Sequence, residues 1–376
     1  MLKKFIPLSF IFILLISCSV SEKDFLEYEV KNELSKVQSA LEKGANPNAK
    51  LDDGSTALML AIQSGYDEMA KVLIEGNADA NAKRINGESP LYLAAQYSDS
   101  SVVNLLLQKK ADIDARNQDG LSAFDIAALL GRTSILKSFL DAGANINAKS
   151  IEDMTPLMLS LAYGMDTSAQ YLMSNGADIN AVSSTGFTPL MYACFHGLQN
   201  IATQLIEKGA SVNQESEMNK TAFHLAAASG NLELVKMLMQ YSPDINAKDN
   251  DGVSPLLVAC EFGHTDIARY LIEKAVLVNQ QADDGFTPLM HAVQGESSDL
   301  FYLLLEKGAN VNVKTKNGLT ALMIAIDANK IDFASVLLKK GANINEVNEE
   351  GKTALKLAEE LKNQQLISLL KSAGAK

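Results

Sequence analysis

Residues 188–194 read Thr-Pro-Leu-Met-Tyr-Ala-Cys, and residues 221–227 read Thr-Ala-Phe-His-Leu-Ala-Ala. The two stretches begin 33 residues apart, and their pattern of a hydroxyl residue, Ala or Pro, and Leu or Phe occurs ten times at this interval without an insertion. The residue two places before each hydroxyl marks its repeat. The markers are Gly54, Gly87, Gly120, Asp153, Gly186, Asn219, Gly252, Gly285, Gly318 and Gly351. A fixed interval of this length predicts a stacked array of similar units.

Each unit is expected to hold two helices. The hydroxyl can accept a hydrogen bond from a first-turn amide, and Pro at the next place suits the first helical residue. Seven places after the marker (position 7) stands Ala in nine repeats and Ser160 in the other, which lets neighbouring helices approach closely. Position 19 holds Leu in nine repeats and Phe139 in the other, which predicts the spine of a second helix.

The end of each second helix is also marked. Gly stands at position 23 in six repeats and favours the left-handed backbone that closes a helix. Asn77 tolerates the same conformation, whereas Lys110, Ser242 and Ala275 fit it less well, so we expect local strain at those three ends. The segments that follow are predicted to be hairpin-like loops projecting from each helix pair.

This period and pattern resemble the ankyrin repeat family, and the stretch Thr221 to Ala227 matches the family signature most closely. The resemblance implies an all-α solenoid of helix-turn-helix pairs with β-hairpin-like loops, in a single elongated array. We expect a partial capping repeat at 24–52, nine repeats at 53–349, and a C-terminal capping repeat at 350–376. In that last repeat Glu359 and Lys371 replace apolar residues. Asp153 and Asn219 depart from the pattern by removing the turn Gly.

The N-terminus has the form of an export signal. Lys3 and Lys4 precede an apolar run that Pro7 interrupts, so the run is too short to span a bilayer. Leu15-Ile16-Ser17-Cys18 resembles a bacterial lipobox. This resemblance implies a signal peptide at 1–17, a lipid on Cys18, a tether at 18–23, and a membrane-anchored protein of the cell envelope, at the outer membrane or a periplasm-facing surface rather than in the cytoplasm. The alternative is a plain signal peptide in which the Cys is incidental.

Composition and spacing argue against other classes of function. The net charge of −12 disfavours nucleic acid as a partner. The four His residues lack the spacing of a helical metal site, and Cys194 and Cys260, which lie at position 8 two repeats apart, are interpreted as buried core residues. Gly351-Lys352-Thr353 lacks the Gly that a phosphate loop needs. The sequence therefore predicts no enzyme, no cofactor and no metal.

The family resemblance implies that a protein partner binds the concave side, formed by the loop tips and the first helices. We carry this over to variable apolar or aromatic positions of this chain. These are Tyr97, Leu130, Tyr163, His196 and Phe262 at position 10, Leu129 and Phe195 at position 9, and Met154, Phe187 and Phe286 at position 1. Contiguous exposed apolar side chains mark contact surfaces, whereas the alternative is that flanking loops cover them.

Two interpretations of function remain at this stage. The first is a non-catalytic, monomeric interaction scaffold, anchored by lipid at Cys18 and binding a protein partner through the concave face. The second is a regulator or protective helper of an envelope enzyme. A partner whose activity changes on binding would distinguish the second from the first.

Overall fold

The computed structural model describes residues 32–274 and 276–376, which form two units dividing between Asp178 and Ile179. In the first unit, α1 (Leu34–Glu42) precedes four helix pairs. The pairs are α2 (Ala57–Gln63) with α3 (Asp67–Glu75), α4 (Pro90–Tyr97) with α5 (Ser100–Gln108), α6 (Ala123–Leu129) with α7 (Thr133–Asp141), and α8 (Pro156–Ala162) with α9 (Asp166–Ser174). The first helices α2, α4, α6 and α8 pack in sequence, each against the next.

The second unit holds six further pairs. They are α10 (Pro189–Phe195) with α11 (Gln199–Glu207), α12 (Ala222–Ser229) with α13 (Leu232–Met239), α14 (Pro255–Glu261) with α15 (Thr265–Glu273), α16 (Pro288–Gln294) with α17 (Ser298–Glu306), α18 (Ala321–Asp327) with α19 (Ile331–Lys339), and α20 (Ala354–Glu360) with α21 (Gln364–Ser372). Here too each first helix packs against the first helix of the next pair.

The predicted helix starts are confirmed. The Thr56 hydroxyl accepts a hydrogen bond from the Met59 amide at 3.4 Å, and the Ser89 hydroxyl accepts one from the Tyr92 amide at 3.2 Å. The same bond recurs at the later repeats, where Pro often occupies the first helical residue. Each cap satisfies one of the amides that a helix leaves unpaired at its start.

The predicted core is confirmed at both periodic positions. The residues at position 7 are at most 2% exposed, and every residue at position 19 has no exposed surface. Small side chains at position 7 allow close packing of first helices, while Leu at position 19 fills the layer between first and second helices. Truncating one such Leu to Ala is expected to cost about 2 to 5 kcal/mol of unfolding free energy.

The second helices end in the left-handed conformation that the sequence predicts. Gly143 has a φ of 89°, and Asn77 a φ of 64°. Lys110 and Ser242 adopt the same region, with φ of 61° and 52°, at a steric cost that Gly avoids. Ala275, the third end for which we predict strain, lies outside the described residues.

The loops are joined along each unit by hydrogen bonds that repeat every 33 residues. In the first unit the Ile85 amide donates to the Asp53 carbonyl, and the Gln118 amide donates to the Asn86 carbonyl, both at 2.9 Å. Isolated β-bridges such as Arg116 with Ser122 give the loops a hairpin-like form, and the described part of the chain contains no longer strand.

The loop at Asp153 departs from this regular form, and Asn side chains add further bonds between neighbouring loops. At the marker Asp153 a 3-10 turn, Ile151–Asp153, replaces the usual tip, and both Glu152 and Asp153 have positive φ. A second set of bonds is absent from the sequence prediction: Asn81 accepts from the Asp112 amide at 2.7 Å and donates to the Lys110 carbonyl at 3.2 Å. The same bond runs from the Asp79 amide to Asn48 and from the Asp178 amide to Asn147, so these side chains tie neighbouring loops together.

Candidate protein-binding face

Three of the predicted binding residues form a stripe in the first unit. Tyr97 ends α4, while Leu130 and Tyr163 directly follow α6 and α8, and their exposed fractions are 44%, 42% and 56%. Because these three helices pack in sequence, the side chains recur at about 10 Å, the usual separation of packed helices. Leu129 lies beside the stripe and is half-buried. We call Tyr97, Leu130 and Tyr163 the unit-1 stripe.

The loops of the first unit lie over the same face of the first helices. Arg84, in the loop before α4, donates to the Gln63 side chain at the end of α2 at 2.6 Å. The Asn117 side chain donates to the Tyr92 hydroxyl at 3.2 Å. Burial raises the pKa of Tyr92, and Glu88, Asp119 and Tyr97 raise it further, so a loop carboxylate and a stripe residue both act on this phenol.

The second unit presents a different arrangement of aromatic side chains. Phe195 is 53% exposed and packs edge-on against the exposed His196, with 5.1 Å between ring centroids. Phe262 is 59% exposed and stacks on His264 at 6.1 Å. The intervening first helix α12 carries Ala228 at position 9 and Ser229 at position 10. The aromatic side chains therefore stand on either side of a helix with small residues.

Two position 1 residues, Phe187 and Phe286, are less available than the sequence analysis expects, because their side chains pack against their own first helices. Phe187 lies 5.3 Å from Tyr192, and Phe286 lies 5.1 Å from His291, measured between ring centroids. Both Phe residues and Met154 are half-buried. These contacts also place position 1 on the same face as position 6, which is one helical turn from position 10.

Sequence reasoning misses a set of side chains at position 12 that hold this face in place. Arg132 donates to the Gln96 carbonyl at 2.8 Å and to the Ser98 carbonyl. Lys330 bonds the Gln294 and Gly295 carbonyls in the same way, and His264 lies 3.0 Å from the Ala228 carbonyl. Each of these side chains binds one or two backbone carbonyls at the end of the preceding first helix, where the helix itself provides no partner. A recurrent donor at position 12 is the signal that could identify these side chains.

The buried His224 serves as a helix cap. His224 Nδ1 accepts from the Thr221 amide at 3.2 Å, so its Nε2 carries the proton and lies 3.1 Å from the Ala247 carbonyl. Burial lowers the pKa of His224, and it also lowers the pKa of His291, against the effect of Glu261 and Asp284. The imidazole of His224 is therefore held neutral.

Asp125 and the two described cysteines are buried as well. Asp125 caps α6, where one carboxylate oxygen accepts from the Ser122 amide at 2.8 Å, and burial raises its pKa. Cys194 and Cys260 are buried, as predicted, and burial raises the pKa of both thiols. Within residues 32–274 and 276–376, no cluster of His, Cys, Asp and Glu could hold a metal ion.

Some predicted features cannot be placed. Cys18, the signal peptide and the tether lie outside the described residues. Among the helices that the structure does describe, none combines the length and apolar character needed to cross a bilayer. The boundaries proposed for the capping repeats stay predictions, although Glu359 and Lys371 are both exposed.

Comparisons with known proteins address the family. The model of ankyrin repeats (3 copies) matches residues 26–117, 124–216, 223–315 and 289–376. The crystal structure of the human ASB11 ankyrin repeat domain is 28% identical, with a TM-score of 0.53, and the match covers 59% of this chain and 99% of that domain. No curated protein matches the chain.

These matches indicate no catalytic family, and they agree with the helix pairs, caps and left-handed ends described above. Ankyrin repeats generally serve as non-enzymatic scaffolds for protein interactions, which suggests a protein partner. The binding roles of the individual face residues stay predictions. By its sequence match and its fold, this chain belongs to the ankyrin repeat family.

Proposed function

We propose that this chain is a non-catalytic scaffold that binds a protein partner through the loop-covered face of its first helices. The observation that carries the proposal is the unit-1 stripe, where Tyr97, Leu130 and Tyr163 are exposed at the same position of three successive repeats. Nothing in the packing of the repeats requires an apolar residue at position 10, since other repeats have Ser64 or Ala328 there.

The stripe has the character of a contact surface. Contiguous exposed apolar side chains on soluble proteins mark interaction sites, and Tyr is enriched among the residues that dominate binding energy. The hydroxyl caps fix the starts of the three helices that carry the stripe, and Arg132 binds the end of α4, so that little ordering is left to pay for on binding. Phe195, His196 and Phe262 offer a second such surface within the other unit.

Photo-crosslinking can test this face directly. A photoreactive phenylalanine is placed at Leu130 or Tyr163, and in matched controls at Lys137 on α7 or Gln170 on α9, which are exposed on second helices of the same repeats. We expect the two stripe positions to yield defined adducts with a partner protein in the native cell envelope. Equal labelling from the control positions, or none from the stripe, would contradict the proposal.

We further propose that a lipid on Cys18 anchors the chain in the cell envelope, and that the anchored chain is a monomer. The resemblance of Leu15 to Cys18 to a lipobox supports the anchor, and stable attachment needs more than one acyl chain. In the variant Cys18→Ala we expect the protein to leave the membrane fraction and to lose its acyl mass. Cys194→Ala is the control, because that thiol is buried and should change neither property. An unchanged acylated mass in Cys18→Ala would sink the proposal.

A further inference from the structure

The first unit has a second row of side chains that runs parallel to the unit-1 stripe. One place before the markers stand Asp53, Asn86, Asp119 and Glu152, all exposed at the tips of successive loops. The loops lie over the first helices, as the Arg84 to Gln63 bond shows. A first helix such as α6 has seven residues and is about 10 Å long, so the tips and the stripe border a groove of at least this width.

The charge in this groove is unevenly compensated. Arg84 pairs with Glu88 at 3.1 Å, and Arg116 donates to the Gly120 carbonyl at 2.5 Å and to the Lys149 carbonyl at 2.8 Å. Lys149 itself lies 3.7 Å from Asp153. These cations are thus engaged by oxygens of the protein.

Two exposed cations remain, and they lie toward one end. Lys50 and Lys83 belong to the first two loops of the row. At the other end, Asp119 and Glu152 have no cation within 4 Å in the part of the chain that the structure describes. Across residues 32–178 there are 19 acidic and 12 basic side chains. Among the described residues, Asp119 and Glu152 are thus exposed carboxylates without an ion-pair partner beside Leu130 and Tyr163, in a unit whose net charge is negative.

The dimensions of the groove select one form of polypeptide. An α-helix with side chains is about 10 to 12 Å wide, and residues seven apart along it are separated by about 10.5 Å, which matches the repeat of the stripe. Side chains on one face of an extended strand recur at about 6.6 Å and do not match that repeat. A polyproline helix repeats at about 9 Å but is narrower than an α-helix and would leave part of the groove unfilled.

We propose that the groove of the first unit binds an amphipathic α-helix of a partner protein. Its apolar side chains, spaced by seven residues, contact Tyr97, Leu130 and Tyr163, and its Lys or Arg side chains face Asp119 and Glu152. This inference rests on the proposed function, since it identifies the chemistry of the partner for the same face. Apolar contacts supply the affinity, and the carboxylates set the direction of the bound helix and the rate of association.

Fluorescence anisotropy with labelled peptides and the full-length chain tests this inference. The probe is a helical peptide of about 21 residues, three heptads, with Leu on one face and Lys along one edge. Its twin has Glu in place of Lys, and a third peptide is rich in Pro. We expect the basic helix to bind about tenfold more tightly than its acidic twin, with an affinity that falls as salt rises. Equal binding of the two helices, or preference for the Pro-rich peptide, would overturn the proposal.

Variants of the chain separate the two rows. Leu130→Asp is expected to weaken binding of the basic probe about tenfold or more, and Asp119→Lys about threefold, with a smaller salt dependence. Tyr241→Asp is the matched control in the other unit, at an exposed aromatic residue that follows a second helix, and there binding should stay within about twofold. Because all three positions are exposed, thermal unfolding should match wild type, and Tyr163→Asp replaces Leu130→Asp if it does not. An equal loss in Tyr241→Asp would refute the assignment to this groove.

The two proposals fail in different ways. If no helical probe binds while photo-crosslinks still form at Leu130 and Tyr163, the face binds a partner but not a basic helix. If the crosslinks are absent, the proposed function fails as well.

Discussion

The repeat that begins at Gly120 and the repeat that begins at Asn219 differ at a position that is buried in both. Asp125 occupies it in the first unit and His224 in the second, 99 residues or three repeats further on. Each side chain caps its own first helix, the carboxylate by accepting from Ser122 and the imidazole by accepting from Thr221. The same backbone geometry is thus satisfied by an acid and by a base.

The two caps differ in what else they hold. His224 also lies 3.1 Å from the Ala247 carbonyl and 3.2 Å from the Val253 carbonyl, both in the following loop. One carboxylate oxygen of Asp125 accepts from Ser122 and lies 3.6 Å from Arg116. The other carboxylate oxygen is buried without a partner. The His joins two repeats, whereas the Asp serves one and bears an unpaired atom.

The largest expected effect comes from removing the side chain that joins two repeats. His224→Ala should lower the unfolding free energy by about 3 kcal/mol, since it leaves a cavity and two unsatisfied carbonyls, whereas Asp125→Ala should cost only about 1 kcal/mol. Urea unfolding followed by circular dichroism measures both values. Met191→Ala, at the same position of another repeat, reports the cost of side-chain volume alone. A larger loss for Asp125→Ala than for His224→Ala would reverse the comparison.

The next effect concerns Arg116. The repeat that begins at Asn219 has no such cation, because Glu215 stands at the equivalent position. Arg116→Met removes two bonds to the carbonyls of Gly120 and Lys149 and the cation beside Asp125, so we expect a loss of about 2 kcal/mol. The loss should shrink when Asp125 is already Asn, because the buried carboxylate no longer needs a cation. A double-mutant cycle measures this coupling, and strict additivity would show that the two side chains act independently.

These details mark how far the sequence predicts the structure. The markers, Ala at position 7 and Leu at position 19 define the stack because each meets a packing demand that only a few residue types satisfy. The cap of Asp125 is missed because the same position holds Met, Tyr or Leu in seven of the other repeats and Lys356 in the last, so the position shows no consistent polar role.

The candidate face is predicted only in part. Periodicity identifies position 10 correctly as an exposed place, with Tyr97 and Leu130 as examples. It cannot tell that Phe187 and Phe286 turn onto their own helices, because ring contacts with Tyr192 and His291 depend on side-chain geometry and not on spacing.

Opposite responses to pH should sharpen the comparison further. Burial lowers the pKa of His224 in the folded chain, so the unfolded chain binds more protons below the ordinary value of 6.5, and stability falls as the pH drops through that range. Burial raises the pKa of Asp125 above 3.8, so the folded chain holds its proton longer, and stability falls as the pH rises above 3.8.

Each group contributes at most about 1.4 kcal/mol per pH unit, and difference measurements isolate it. Relative to wild type, His224→Met should become less destabilising as the pH falls from 7 to 5. Asp125→Asn should gain on wild type as the pH rises from 4. Urea midpoints at several pH values give both curves, and parallel curves for variant and wild type would contradict the assignment.

The smallest effect lies at the ends of the second helices. Gly143 ends one of the two repeats with a φ of 89°, and Ser242 ends the other at the same position with a φ of 52°. Ser242→Gly should relieve the clash of a β-carbon in the left-handed region and stabilise the chain by up to about 1 kcal/mol, less the entropy that Gly loses on folding. Gly143→Ser is the reciprocal change. A β-carbon there would meet no atom within 4 Å, so any loss arises from the backbone alone. Opposite signs for the two changes in urea unfolding would show that conformation sets these helix ends, and equal signs would mean that the neighbouring loops do.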